Sequence, residues 1–422
     1  KNEKSQLTQE EEAALASGGY SKIITSSNNA DATEKPQKPS LVFDEDAKKC
    51  QHVSGEWSSQ LMKMVKIGIK TYKENSGKGI SNKNKHWSKS NFQEYMFWGK
   101  HRPEESGERI IINRDEEACW FIGDVHGDLA GLLASVNYIR IKTEEEGSKE
   151  KPNIVLLGDL FDDGPDGLAV LYFVYHQIYH ADRINLTCLL GNHDEALSWD
   201  GESSTFAASV KPSDFADKLN SQIEESKSKK RGLSLRREHQ HSFVRACIEG
   251  FARAPVAMFL PDGTMAAHAG LPHGDCIDNE NVPEKEIRDR SRLSESDCVQ
   301  DFVWTRIAPR AKKRNPNRST KGCELGALNC RQFMKRATEV LELEAPVERL
   351  IRGHDHYPPD RYNIFGHHYG NRIITINNMS RQSSREPSPG EQTNPRILRW
   401  QIGQDLELHE LCLPDDFHNQ VL

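Results

Sequence analysis

An α/β layered fold is expected over residues 108–415, and two features of the 422-residue chain predict it. From Glu108 onward, short apolar runs alternate with stretches of helical spacing, as in strands joined by helices. Five of these runs also end alike, each passing into a side chain able to bind a metal. ACWFIG leads into Asp124 and His126, NIVLLG into Asp159, INLTCLLG into Asn192 and His193, TMAA into His268, and RLIRG into His354. Strands covered on both faces read as unbroken apolar runs, and α/β sites gather beyond their carboxyl ends. A single Asp or His after a strand is ordinarily a cap. Five in the same place need a shared purpose.

The remaining elements follow in chain order. Residues 1–40 are rich in Ser, Asn, Lys and Glu and close on EKPQKPS, so residues 1–45 are expected to form a flexible arm. Residues 46–107 are expected to be a mainly helical elaboration. Within them Trp57, Leu61, Met64, Val65, Ile67 and Ile69 give Ser54 to Glu74 one apolar helical face, and Asn75 to Ser90 is polar loop. Between Asn192 and His268 lies an insertion at about 200–245, containing FADKLNSQIEESKSKKRGLSLRRE, with helical spacing from His239 to Arg253. It is expected to project as a helical arm turning near Gly232, either as a solvated loop elaboration or as a docking surface for a substrate or partner. Arg381 to Asn394 reads as a polar loop. Ile397–Ile402 and Leu406–Leu411 are expected to close the sheet.

Composition narrows the function. Lys and Arg total 56 against 63 Asp and Glu, a net charge of −7, which argues against a nonspecific nucleic-acid binder and predicts no nucleic-acid partner. No apolar run approaches the ~20 residues of a membrane span. Lys1 to Glu12 holds no apolar signal core, although the chain starts with Lys and a removed targeting segment stays an open reading. The nine cysteines are odd in number and never spaced CxxC. They predict reduced thiols in a cytosol-like compartment rather than a disulfide framework or zinc knuckle.

The strand-end residues are oxygen and nitrogen donors without a thiolate, which suits Mn²⁺, Fe or Zn²⁺. Two such ions ~3.5–4 Å apart can clamp a phosphoryl group, provided a carboxylate bridges them. Asp159, central in the series, is the natural bridge.

The blocks GDVHG (Gly123–Gly127), GDLFDDG (Gly158–Gly164), GNHD (Gly191–Asp194), HAG (His268–Gly270) and RGHDH (Arg352–His356) occur in this order. They resemble the signature blocks of the calcineurin-like metallophosphoesterases, most closely the phosphoprotein phosphatase family, over residues 118–380. The resemblance implies a two-sheet β-sandwich flanked by helices, two divalent metal ions, and hydrolysis of phosphomonoesters by a hydroxide held between them. It assigns Asp124 and His126 to the first metal, Asp159 to both, and Asn192, His268 and His354 to the second. His193 would be the general acid, with Asp162 orienting its ring. An imidazole near neutral pKa can donate a proton when a carboxylate fixes its tautomer.

Departures from the family pattern matter too. The second block normally carries Arg where this chain has Asp163, and a carboxylate there repels phosphate. Arg306 in VWTR resembles a later phosphate-binding segment and is the substitute candidate. His356 stands two residues beyond His354, a spacing that resembles the broader phosphoesterases, where the second His joins the first metal. On an extended segment the two would face one side; a solvent-facing ring is the other reading. Arg310 to Lys321 carries six basic residues, either a solvated loop or a steering patch for an acidic phosphopeptide. Together these features resemble divergent members that some pathogenic bacteria secrete as effectors into a host cytosol. The leading expectation is a protein phosphatase acting on a phosphorylated protein, with phosphotyrosine and phosphoserine or phosphothreonine both open. Hydrolysis of a dinucleoside polyphosphate or phosphodiester, and an inactive binding scaffold, are the alternatives.

Overall fold

Strand β3 (Cys119–Ile122) shows how the apolar runs build the molecule. Its side chains alternate, Cys119 and Phe121 to one face and Trp120 and Ile122 to the other, and all four are buried in two separate cores. A strand buried on both faces must lie between two layers. The computed structural model describes residues 41–43, 95–101, 103, 107–180, 183–228, 234–272, 293–307, 315–316, 321–356, 373–381, 392–411 and 413.

Two sheets form the body, with strands numbered in chain order. The six-stranded sheet runs β1 (Leu41–Phe43), β16 (Leu406–Glu410), β15 (Arg396–Trp400), β3, β4 (Asn153–Leu156), β5 (Asn185–Cys188). The pairs β3–β4 and β4–β5 are parallel, whereas β15 is antiparallel to both β3 and β16. The five-stranded sheet runs β14 (Ile373–Thr375), β13 (Arg349–Arg352), β9 (Thr264–Ala267), β8 (Ala257–Phe259), β2 (Ile110–Ile112). Phe121, Val155, Leu157 and Leu189 from the first sheet meet Met258, Ala266, Ile351 and Ile374 from the second in one core. This is the two-sheet sandwich of the metallophosphoesterase fold.

Helices cover the outer faces. α1 (Leu129–Glu145) starts where the Asp128 carboxylate accepts the Gly131 N–H at 2.9 Å, an N-cap placed directly after the β3 turn. It lies with α2 (Gly167–His180) against the first sheet. On the other side, Phe302 of α6 (Ser296–Trp304) and Phe333 of α7 (Ala327–Val340) share a core with Met265 and Leu350. A small sheet, β10 (Arg306–Ile307), β12 (Cys323–Leu325), β11 (Asn315–Pro316), joins these two helices.

The insertion is helical, as expected, and its described base packs on the body. The short helix α3 (Asn192–Ala196) runs into a hairpin, β6 (Leu197–Asp200) and β7 (Thr205–Ala208), where Trp199 and Phe206 pair across the strands at 4.7 Å. Two helices follow, α4 (Asp214–Ser228) and α5 (Ser234–Phe251). Phe215, Leu219, Phe243, Val244 and Phe251 are buried in the main core, with Phe243 stacked on Tyr172 of α2 at 4.2 Å. Burying three Phe rings favours docking over solvation, at roughly 1.5–3 kcal/mol per fully buried side chain. The expected turn near Gly232 lies outside the described residues.

At the amino end, Leu41–Phe43, inside the segment read as a flexible arm, form β1 and pair in parallel with β16. The helix expected over Ser54 to Glu74 lies outside the described residues, as do most of the basic run 310–321 and the middle of the 381–394 loop, whose ends pair at Arg381 and Gln392. Among the described residues, six cysteines, Cys119 and Cys188 among them, are buried and form no disulfide. No helix among the described residues is long and apolar enough to cross a membrane.

Candidate metal centre

The chain leaves three of the site strands, β3, β4 and β13, through unusual turns. His126, Asp159, Asp162, Asp163 and His354 all have positive φ, between 44 and 69°. Left-handed backbone costs an L-residue roughly 1–2 kcal/mol, so five such residues in one place require a compensating framework. Hydrogen bonds supply it. The Val125 and His126 N–H groups donate to the Asp159 carbonyl at 3.1 and 2.7 Å. The buried Asp194 carboxylate accepts from Asp159, Leu160 and Gly191 N–H at 2.9, 3.0 and 2.9 Å, tying the turn after β4 to the turn after β5. Glycine is required at 191 and 353, since a Cβ would strike Asp159 at the first and the Asp124 carboxylate at the second.

These turns bring strand ends from both sheets together. Asp124, His126 and His356 place one ligand atom each within 4.8 Å of one another; Asp159, His268 and His354 form a second such group, and His126, Asp159 and His193 a third. The Asp159 carboxylate stands between them, its Oδ2 lying 3.5 Å from His126 Nε2 and 3.4 Å from His268 Nε2. Asn192 Oδ1 lies 2.9 Å from His268 Nε2 and 2.8 Å from His354 Nδ1. His356 Nε2 is 3.1 Å from Asp124 Oδ2 and turns toward the cluster rather than to solvent.

Other contacts fix the rings. His268 Nδ1 meets the Leu157 carbonyl at 2.9 Å and His126 Nδ1 the Phe161 carbonyl at 3.2 Å, so each carries a proton there and turns Nε2 toward the cluster. The His354 N–H donates to both Asp124 oxygens, at 3.0 and 2.9 Å.

The cluster suits cations. Ring nitrogens face each other at 3.1 Å (His126 and His356) and 3.2 Å (His268 and His354), an arrangement two neutral imidazoles satisfy only by sharing a proton. All the donors are oxygen or imidazole nitrogen, as hard or borderline divalent ions prefer. Charge is divided among them. Burial raises the cost of ionising Asp159, yet the neighbouring His268 and His193 hold it well below the usual carboxylate range. Burial opposes charge on His268, but Asp159 and Asp124 override it and push the ring up to about 9. His126 is drawn down to about 4, chiefly by burial.

Beside the cluster, His193 Nδ1 lies 2.7 Å from Asp162 Oδ2 and its backbone N–H donates to Asp159 at 2.9 Å. Burial lowers the affinity of the ring for a proton, but Asp159 and Asp162 outweigh it and raise the pKa. Arg306 Nη1 pairs with the Asp355 carboxylate, which Arg352 grips from the other side at 2.5 Å, and its charge, after burial itself, lowers the proton affinity of His354. Asp355, between the two histidines of GHDH, and Asp194 of GNHD were in view within their blocks. No spacing rule distinguishes such scaffold carboxylates from ligands.

Comparison with known proteins follows the same residues. A family model described as calcineurin-like phosphoesterase matches residues 119–358. A curated relative, the asymmetrical bis(5'-nucleosyl)-tetraphosphatase PrpE of Oceanobacillus iheyensis, is 29% identical over 197 residues, 44% of this chain and 66% of that protein. The chain thus spans just under two thirds of that relative's length. A solved serine/threonine phosphatase from Saccharomyces cerevisiae, with similarity to human phosphatase PP5, aligns over 85% of this chain and 91% of its own at 13% identity and TM-score 0.43. A cold-active protein-tyrosine phosphatase of a psychrophile Shewanella aligns over 74% of this chain and 90% of its own at 13% identity and TM-score 0.36.

Proposed function

The chain belongs to the calcineurin-like phosphoesterase family, and we propose that within it the protein is a metal-dependent phosphatase that removes the phosphoryl group from a phosphorylated protein side chain. The observation that carries this reading is the His193–Asp162 pair at 2.7 Å, set against the groups Asp124, His126, His356 and Asp159, His268, His354, with Asp159 reaching His126 of the first.

Asp124, His126, Asp159 and His356 would hold one divalent ion, and Asp159, Asn192, His268 and His354 the other; Mn²⁺ is the expected ion, with Fe and Zn²⁺ as alternatives. When bound, such a pair supplies Lewis-acid polarisation of the phosphoryl oxygens and acidifies a water between the ions. The protein's own residues do the rest. His193, held by Asp162 and raised by its carboxylate neighbours, keeps a proton for the leaving oxygen. A serine or threonine alkoxide leaves poorly without that proton, whereas a tyrosine phenolate depends on it less.

Electrostatics favours a monoester over a polyphosphate. Asp163 occupies the place of the family's arginine beside the dyad, whereas the Asp214 carboxylate that accepts its N–H at 2.7 Å is itself paired with Lys218. Repulsion by Asp163 grows with the charge of the substrate, and a dinucleoside tetraphosphate carries about twice the charge of a phosphomonoester. The relative's name supports the polyphosphate as a second reading.

The test is a rate comparison with Mn²⁺ on phosphoserine, phosphothreonine and phosphotyrosine peptides and on diadenosine tetraphosphate, for wild type and His193→Ala, each repeated after chelation. Turnover of a peptide that chelation abolishes is expected. Phosphoserine preference with collapse in the variant, or phosphotyrosine preference with a modest loss, sets the side chain. Turnover of the dinucleotide alone moves the assignment to the small substrate, and no turnover with ions bound leaves a binding scaffold.

A further inference from the structure

Helix α4 of the insertion begins directly against the catalytic dyad. We propose that the insertion positions the general acid: Asp214 and the main-chain N–H of Phe215 fix the Asp162 carboxylate and, through it, the ring of His193. This rests on the reading of His193 as the proton donor.

Both oxygens of Asp162 are engaged. Oδ2 holds His193 Nδ1 at 2.7 Å, and Oδ1 accepts the Phe215 N–H at 2.8 Å across 53 residues of sequence. N–H groups in the first turn of a helix have no partner inside the helix, so the one at Phe215 is free to serve this carboxylate. The grip extends along the loop. Asp214 Oδ1 accepts the Asp163 N–H at 2.7 Å, and Lys218 one turn later reaches Asp214 Oδ2 at 2.7 Å and the Gly164 carbonyl at 3.3 Å. Three successive residues, 162 to 164, are therefore held from one helix end, two of them in left-handed backbone. The Phe215 ring stacks on Phe161 at 4.6 Å and fixes the helix over the loop.

A carboxylate bonded at both oxygens has one orientation, and a ring bonded to it has one tautomer. Loosening the helix start would leave the ion ligands in place and misdirect the proton donor. The loss should fall on substrates whose leaving group needs the proton.

The test assays the Mn²⁺-loaded full chain on p-nitrophenyl phosphate, phenyl phosphate and an alkyl phosphate. Asp214→Ala is expected to lose about tenfold in kcat/KM on the alkyl ester and less than about threefold on the p-nitrophenyl ester. Asp214→Asn, which keeps an acceptor for the Asp163 N–H, should restore the alkyl rate. Lys218→Ala should show the same pattern more weakly and serves if Asp214→Ala does not fold. In the ion-free protein, the imidazole NMR signals of His193 should shift or broaden in Asp214→Ala and return in Asp214→Asn. An equal loss on all three esters, or none on the alkyl ester, overturns the proposal. His193→Asn run alongside separates the failures. An unchanged leaving-group dependence there removes the proton-donor reading itself; a steeper one there, with Asp214→Ala unaltered, removes only the positioning by the insertion.

Discussion

The two sheets bring different chemistry to one cluster. Asp124, His126, Asp159, Asn192 and His193 follow strands of the six-stranded sheet, and both ligand carboxylates are among them. The five-stranded sheet sends only imidazoles, His268, His354 and His356. Their bonds nevertheless cross over. His268 is oriented by the Leu157 carbonyl beyond β4, and the carboxylate of Asp124 accepts the His354 N–H beyond β13. Neither sheet holds all of the candidate donors, so the cluster exists only once the sandwich has closed. The carboxylate side also bears most of the backbone strain, with positive φ at His126, Asp159, Asp162 and Asp163 against His354 on the other side.

Breaking the carboxylate side should cost most. Asp159 faces His126 on its own sheet at 3.5 Å and His268 on the other at 3.4 Å, closer to both rings than Asp124 at 4.0 and 3.7 Å. Asp159→Asn is expected to lower kcat/KM with Mn²⁺ by on the order of 10³-fold or more, since both ions lose their shared anion. Activity within about tenfold of wild type would show that the two halves do not meet at this residue.

A smaller effect is expected on the imidazole side at its outermost member. His356 reaches Asp124 at 3.1 Å but is 21% exposed, unlike the fully enclosed His268. His356→Ala should weaken one of two Mn²⁺ affinities by about 10–100-fold in a calorimetric titration and leave the other within a few-fold. Equal weakening of both would mean that the ring serves the centre as a whole.

The smallest effect is in proton count. With its pKa at about 9, His268 carries a proton at pH 7 in the ion-free protein, held there by Asp159 and Asp124. A cation must displace it, so binding should release about one proton at pH 7. Affinity should rise with pH and level off above about 9, because the competing protonated ring disappears. Calorimetry in buffers of different ionisation enthalpy reads the release directly. No release would place the carboxylates' proton sharing elsewhere.

Much of this was legible in advance where the signal is local. An apolar run buried on both faces has to be an inner strand, and a polar donor at its end has to lie at a sheet edge, so β3, β4, β5, β9 and β13 and their terminal residues could be read from the chain. The hairpin β6–β7 was not legible, because LSWD and TFAA are too short to show a period. The packing of the insertion was missed for a different reason. Phe215, Leu219 and Phe243 are scattered among Lys, Glu and Arg, and the rings of Phe215 and Phe243 meet Phe161 after β4 and Tyr172 of α2, from another part of the chain. Asp194 and Asp355 stand beside candidate donors in their blocks and are scaffold in space, one bound to three N–H groups and the other to two arginines.

The sequence by itself determined the donor set, since the side-chain chemistry of Asp, Asn and His and its place after each strand are properties of short segments. Only the tertiary structure decided which of these donors share a centre, that Arg306 pairs with Asp355, and that an insertion 50 residues away grips Asp162. Those outcomes depend on distances between segments remote in the chain, and packing two sheets and a helix start against one another is what sets such distances.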